Sequence, residues 1–234
     1  GNKKTFTHKN LSKISTSLKQ EQNKYKIFLC GGDTTFSKKL SFSITSVGFS
    51  QNIIYRNKVK FNDDIYATGN LGDSFVGLKI LQNKIKTTKK LKNYFVKKYF
   101  EPDVQIKLTT ELLKFANSSI DISDGLIDDL EKMINRQKLS YKIFEKKIPI
   151  SKNLHNYLKK NNLRKSNFIS NGDDYQILFT ASVDKSRIIE NTSKRLGIKI
   201  SKIGKIIRNN EISSIINQKG EHLLVKNTGY KHQF

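Results

Sequence analysis

Ile120-Asp121-Ile122-Ser123-Asp124-Gly125-Leu126 is a strand running straight into a helix. Ser119 to Ile122 alternates polar and apolar residues, the period of an extended chain with one face buried. From Gly125 to Gln137 the period changes, and Leu126, Leu130, Met133 and Ile134 form an apolar stripe at helical spacing. A strand that turns directly into a helix puts Asp121 and Ser123 on one strand face and lets Asp124 approach from the turn, at the strand end where α/β scaffolds carry their functional groups.

The same alternation continues in both directions. Upstream, His8 to Tyr25 reads as an amphipathic helix carrying Leu11, Ile14 and Leu18, and Lys26 to Cys30 as a buried strand stopping at Gly31-Gly32. Leu40, Phe42 and Ile44 alternate with polar residues as a further half-buried strand. Ile65 to Thr68 reads as a strand, Asp73 to Asn83 as a helix, the Lys-rich stretch Lys84 to Lys98 as a solvated loop and helix face, and Asp103 to Ala116 as a helix after Pro102. Downstream come a strand (Tyr141 to Ile148), a helix (Lys152 to Lys160), a strand (Tyr175 to Thr180), a helix (Asp184 to Leu196), a strand (Ile198 to Ile207) and a hairpin turning at Asn217 to Gly220. The predicted class is α+β, a mixed α/β chain without internal repeats.

The 234 residues hold 44 Lys+Arg against 20 Asp+Glu, a formal charge of +24, which first suggests a polyanionic partner. Only six of the bases are Arg, and the enrichment in Lys, Asn and Ile follows A/T-rich codons, so base composition accounts for much of the excess. The acids are more informative. Ten of the twelve Asp fall in four short Gly-containing segments: Asp33; Asp63, Asp64 and Asp73; Asp121, Asp124, Asp128 and Asp129; Asp173 and Asp174. One cysteine, Cys30, excludes an internal disulfide framework and reads as a small core residue. No apolar run approaches membrane-spanning length, so a cytoplasmic protein without a membrane partner is expected.

Each acidic segment has two chemical readings. In Ile120–Leu126, the helix start offers free N–H groups that suit phosphate, and carboxylates beside it make sense if Mg²⁺ lies between them. Capping by Ser123 or Asp124 explains the same residues more simply. Gly31-Gly32-Asp33-Thr34-Thr35 is either a phosphate-plus-metal loop or a tight turn, as is Asn171-Gly172-Asp173-Asp174-Tyr175. Gly69 to Ser74 reads as a turn with Asp73 or Ser74 capping a helix. Gly72 to Lys79 fails as a phosphate-binding Walker loop because Leu78 stands where Lys is required. His8, His155, His222 and His232 have no ligand spacing.

In order, GGDTT, DDIYATGNLGDS, ANSSIDISDGLIDDL, NGDDYQILFT, SKIGKI and a final GY resemble the thiamine-monophosphate kinase family, of the PurM-like (AIR-synthase-like) superfamily, from about Lys26 to Tyr230. The resemblance implies a homodimeric enzyme that uses ATP and Mg²⁺ to phosphorylate thiamine monophosphate to thiamine diphosphate by direct in-line transfer. Carried over position by position, it implies that Asp33, Asp121 and Asp124 hold metal, with Asp121 and Asp124 at the catalytic centre. It further implies that Gly32, Asp33, Arg56 and Ser123 contact ATP, and that Asp173 and Tyr230 bind the thiamine phosphate.

The resemblance also implies an incomplete N-terminal AIR-synthase-like domain over residues 1–60 and a C-terminal α/β domain over 61–234. The family's preceding GDD, TTD and NLSD segments do not occur before GGDTT, and Gly1 stands in place of Met. The expectation is therefore a shortened chain that lacks part of the ATP and metal site and is inactive alone. Phe75 and Val76 replace a small pair, Asn171 a Gly and Gln176 a Glu of the family pattern. Two alternatives remain at this stage: a sister phosphotransferase of the same superfamily, and a Lys-rich nucleic-acid-binding protein. Six dispersed Arg argue against the second.

Overall fold

The computed structural model describes residues 7–217, 219–223 and 229. The chain divides into two compact units, Gly1–Ser50 and Gln51–Phe234.

In the first unit, α1 (His8–Tyr25) starts at Thr7, whose Oγ1 accepts the Asn10 N–H at 3.2 Å, a standard N-cap. It ends at Lys26, which takes a left-handed backbone (φ 55°) and returns its N–H to the Gln22 carbonyl. Ile27 to Leu29 then fold back along the helix, and the Leu29 N–H reaches Gln22 Oε1 at 2.7 Å. Leu11, Ile14, Leu18, Ile27, Phe28 and Leu29 line an open hollow of about 790 Å³. The strands expected at Lys26–Cys30 and Leu40–Ile44 do not form, and Cys30 is exposed rather than in a core. A strand exists only where a second strand accepts its N–H and C=O groups. Among the described residues nothing pairs with these segments, and Phe28, Phe42 and Ile44 face outward.

Among the described residues the second unit has seven strands: β1 (Asp64–Thr68), β2 (Ala116–Ile122), β3 (Leu139–Phe144), β4 (Gln176–Ala181), β5 (Ile200–Arg208), β6 (Ser214–Ile216) and β7 (His222–Leu223). They lie in the order β2-β4-β1-β5-β3-β6-β7. All neighbours are antiparallel except β3 and β6. Helices α2 (Asp73–Leu81), α3 (Lys89–Phe100), α4 (Ile106–Leu112), α5 (Leu126–Ile134), α6 (Lys152–Lys160), α7 (Ser166–Ile169) and α8 (Ser186–Leu196) complete it.

Strand β1 shows why the sheet needs helices on both sides. Ile65 and Ala67 pack with Leu178 of β4 and with Leu126, Leu130 and Met133 of α5. Tyr66 points the other way, stacks on its register partner Phe179 at 5.1 Å, and joins Leu108 and Leu112 of α4 and Ile189 of α8. A third cluster joins Val76 and Ile80 of α2, Phe95 of α3, Leu154 and Leu158 of α6, and Phe168 of α7. The stretch expected to be merely solvated thus contains a helix, α3, whose Phe95 is fully buried. Helix α4 begins at Ile106 rather than directly after Pro102.

Residues 51–60 pack with this second unit. Val59 enters the core beneath α5, and the Asn57 N–H donates to the Met133 carbonyl at 3.0 Å. The registers Ile122↔Gln176, Ala67↔Leu178 and Thr68↔Ile200 bring four connections to one end of the sheet. These are residues 69–72, 123–125, 171–175 and the approach to β5 at Lys199.

Candidate functional site

At that sheet end the 123–125 turn and the 171–175 loop interlock through their backbones. Gly125 has φ 126°, and a Cβ there would lie 2.7 Å from the Ser170 carbonyl. Gly172 has φ 70°, and its Cβ would lie 2.2 Å from the Ser123 carbonyl. Only glycine satisfies both the dihedral angle and the approach. The contact is locked by two hydrogen bonds of 2.9 Å, from the Asp173 N–H to the Ser123 carbonyl and from the Tyr175 N–H to the Ile122 carbonyl.

Asp129, one turn into α5 and almost fully buried, reaches back so that Oδ2 accepts the N–H groups of Ser123, Asp124 and Gly125 at 2.9, 2.9 and 3.1 Å. This overturns one sequence expectation: these N–H groups are committed to a carboxylate and do not stand free for phosphate. The local cause is the spacing, since a carboxylate at this position in the first turn can satisfy the orphan donors of the helix start.

The carboxylates of Asp124, Asp128 and Asp129 offer oxygens within 4.8 Å of one another. Lys132, one turn further on, donates to Asp128 at 2.7 Å and Asp129 at 3.0 Å, and makes a close ion pair with Asp124. Partial burial works against its charge, but the three carboxylates outweigh burial and raise its pKa. Burial in turn raises Asp129, opposed by Lys132 and the backbone donors. Asp173 is raised by burial and by the neighbouring Asp124 charge. Gly229 lies against Asp128, where a Cβ would come within 2.3 Å of Asp128 Cβ.

Burial divides the ten clustered aspartates into two sets of five. Asp63, Asp64, Asp73, Asp129 and Asp174 are buried and tied into the scaffold. Asp63 accepts from Asn117 and the Lys60 N–H, and Asp64 pairs with Lys202 at 2.5 Å. Asp73 accepts from Tyr94 and Ser151 at 2.8 and 2.7 Å, and Asp174 accepts the Gly72 N–H at 2.8 Å. Burial, reinforced by Asp73, pushes the Asp174 pKa up to about 7, with the Gly72 N–H acting in the opposite direction. Asp33, Asp121, Asp124, Asp128 and Asp173 are exposed or half-buried.

Of the residues singled out from sequence, Asp121, Ser123, Asp124 and Asp173 therefore gather at one sheet end. Arg56 is exposed near the opposite end of α5, next to Asn57 and its bond to Met133, and is not brought to the aspartates. Gly32 and Asp33 belong to the first unit, where both are exposed and Asp33 Oδ1 accepts the Thr34 N–H at 2.7 Å. Tyr230 and His232 lie outside the described residues.

The chain is 36% identical over 226 residues to thiamine-monophosphate kinase of Buchnera aphidicola subsp. Schizaphis graminum, covering 95% of this chain and 69% of that protein. The chain belongs to the thiamine-monophosphate kinase family. Its structure is similar to the crystal structure of thiamine-monophosphate kinase from Stenotrophomonas maltophilia K279a, with a TM-score of 0.59, 25% identity, and coverage of 73% of this chain and 54% of that one. It is likewise similar to AaThiL complexed with AMPPCP and TMP, with a TM-score of 0.60, 25% identity, and coverage of 77% and 54%. The chain thus spans about half the length of these solved relatives. No protein-family model matches it. The fold is the PurM-like, mixed α/β fold of this kinase family.

Two features of this thiamine-monophosphate kinase relative escaped the sequence reading. The capping role of Asp129 and the central place of Lys132 both follow from helical spacing, since Asp128 and Asp129 lie four and three residues before Lys132 on one face. Treating Asp128 and Asp129 as undifferentiated members of an acidic run concealed that they do different work.

Proposed function

We propose that this chain serves an ATP-dependent kinase activity that converts thiamine monophosphate to thiamine diphosphate. The observation that carries the reading is the juxtaposition of Asp121, Asp124 and Asp173 at one sheet end, in a chain whose family acts on this substrate. One solved relative, AaThiL, is complexed with AMPPCP and TMP.

The donor set fits a hard divalent cation, because Asp124 and Asp128 present accessible carboxylates side by side and no thiol or imidazole competes. Asp121 and Asp124 would hold Mg²⁺, and Asp33 is assigned to metal on the family resemblance alone. Bound there, Mg²⁺ would offset phosphate charge and orient the transferring group. The committed N–H groups at the head of α5 support this route, since phosphate must then be held through the cation rather than by the helix start.

Asp129 holds the turn through its three N–H bonds, and Lys132 occupies the space among the carboxylates that a cation would enter. Asp173 approaches from the interlocked loop, and both Asp173 and Tyr230 are assigned to the thiamine phosphate on the family resemblance. Gly32, Arg56 and Ser123 are assigned to ATP on the family resemblance. Transfer is direct and in line, without a covalent enzyme intermediate. The resemblance also supports a homodimer and a cytoplasmic setting.

The test is formation of thiamine diphosphate from ATP and thiamine monophosphate by protein expressed from the complete reading frame. Turnover that is lost in Asp124→Asn and Asp121→Asn supports the reading. Absence of thiamine diphosphate from the unaltered protein overturns it.

A further inference from the structure

A cavity of about 460 Å³ in the second unit plays no part in the chemistry above. Strand order sets it apart from the aspartates, which sit at β2 and β4, because it lies where β3 ends and β5 begins. Four lysines line it, Lys146, Lys147, Lys165 and Lys199, against a single carboxylate, Glu145. Among the described residues none of the four forms an ion pair.

Lys165 differs from the exposed lysines that base composition explains. It is half-buried, and its Nζ donates to the carbonyls of Glu145 at 2.6 Å and Ile148 at 3.0 Å. An ammonium group has three N–H bonds, so one remains for a ligand. Lys199 Nζ is fixed in turn by Asn70 Oδ1 at 2.7 Å and keeps two. The walls that carry these two lysines are fastened through their backbones. The Leu71 N–H donates to the Pro149 carbonyl at 2.9 Å, and the Gly69 N–H to the Lys199 carbonyl at 2.8 Å. Burial lowers the Lys165 pKa, Glu145 opposes that, and the Lys199 charge lowers it further. Burial lowers Lys199 as well, opposed by Asp73. Two ammonium groups that repel each other and have lost hydration are both relieved by an anion.

We propose that this cavity binds a phosphate dianion, either the free ion or the phosphate ester of a small metabolite, through the ammonium groups of Lys165 and Lys199. A dianion answers two positive charges where a monoanion answers one, and lysine serves phosphate as a point charge. The volume suits a small molecule and is too small for a polyanionic chain. Ile148 and Pro149 add an apolar wall, against which the organic part of an ester can rest. The site needs no metal, in contrast to the aspartates, and stands whether or not the kinase reading holds.

The test is calorimetric titration of the 234-residue chain with inorganic phosphate and with phenyl phosphate, in EDTA at fixed ionic strength. Chelation removes the metal through which the aspartates would hold phosphate. Saturable binding of at least one probe is expected, about fivefold weaker in Lys165→Met and in Lys199→Met. It should be unchanged in Asp124→Asn and in Lys90→Met, which removes an exposed lysine of α3. Equal affinities for the two probes support a free ion, and tighter phenyl phosphate supports an ester. Lys165 also ties down two carbonyls, so Lys199→Met decides the matter if Lys165→Met does not fold. Absence of saturable binding, the same weakening in Lys90→Met, or loss in Asp124→Asn with retention in Lys199→Met overturns the inference.

Discussion

Residues 7–50 and residues 51–223 use the same alphabet of Ile, Leu, Phe and Lys, with opposite results. In the second unit Ile65, Ala67 and Leu178 alternate with polar or opposite-facing residues and disappear into a core. In the first, Leu40, Phe42 and Ile44 alternate just as regularly and remain exposed. The period of a sequence defines which residues share a face, but a strand is a property of a pair, and burial requires a second layer. Substitutions that distinguish a packed position from an unpacked one therefore test this contrast most directly.

The largest difference is expected at glycines. Gly125→Val and Gly172→Val each force a branched side chain into backbone atoms at a positive φ, and each should cost on the order of 4 kcal/mol in urea unfolding of the second unit. Gly32→Val in the first unit meets no atom within 4 Å, and should change stability by less than about 0.5 kcal/mol. A large cost at Gly32 would mean that the first unit is packed as tightly as the second.

A somewhat smaller contrast is expected between Leu130→Ala and Phe42→Ala. Leu130 is fully buried beneath the sheet, and its truncation should cost about 3 kcal/mol through lost burial and the cavity left behind. Phe42 is 64% exposed, and its truncation should stay within about 0.5 kcal/mol. Amide hydrogen exchange offers an independent check: Leu178 and Phe179 should be protected, and residues 40–45 should exchange rapidly.

This contrast also explains how far the sequence could be read. Helices α1 and α6 match the expected spans, because Thr7 and Ser151 supply caps that are legible one residue at a time. The strands of the second unit were legible as short apolar runs, and β1 and β2 were further marked by the glycine turns that follow them at Gly69 and Gly125. Helix α3 was hidden by its lysines, since a single buried Phe95 among charged neighbours gives almost no periodic signal. The failed strands of the first unit were illegible for a different reason, as pairing partners are not encoded in the segment itself. At the site, the ordered motifs marked the right connections. They could not separate Asp174 and Asp129, which build the scaffold, from Asp124 and Asp173, which face outward, because burial is decided by the whole sheet.

That distinction predicts a pH response confined to the second unit. Asp174 has a folded pKa raised to about 7, well above its unfolded value near 4, and burial raises the adjacent Asp73 as well. Between these limits the folded state binds more protons than the unfolded one, so stability is highest at acid pH and falls as pH rises from about 4 to about 7. Thermal unfolding followed by the packing of the second unit should show this fall. Asp174→Asn keeps an acceptor for the Gly72 N–H, removes the titration, and should flatten the profile. An Asp174→Asn profile as steep as that of the unaltered chain would remove Asp174 as its source.

The smallest effect concerns Lys132, and it asks whether the outward-facing aspartates behave as a cation site. The ammonium group lies among Asp124, Asp128 and Asp129, so a divalent ion entering the same space must compete with it. Lys132→Met removes the competing charge and retains much of the side chain's apolar length. Partly exposed ion pairs are worth about 1 kcal/mol at most, so the gain in Mg²⁺ affinity should be about fivefold, measured by calorimetry without ATP. The same substitution should slightly lower stability when Mg²⁺ is absent, because three carboxylates lose their shared counter-charge, and Mg²⁺ should restore it. The opposite sign, with weaker Mg²⁺ binding in Lys132→Met, would show that the lysine organises the carboxylates for the ion instead of occupying its place.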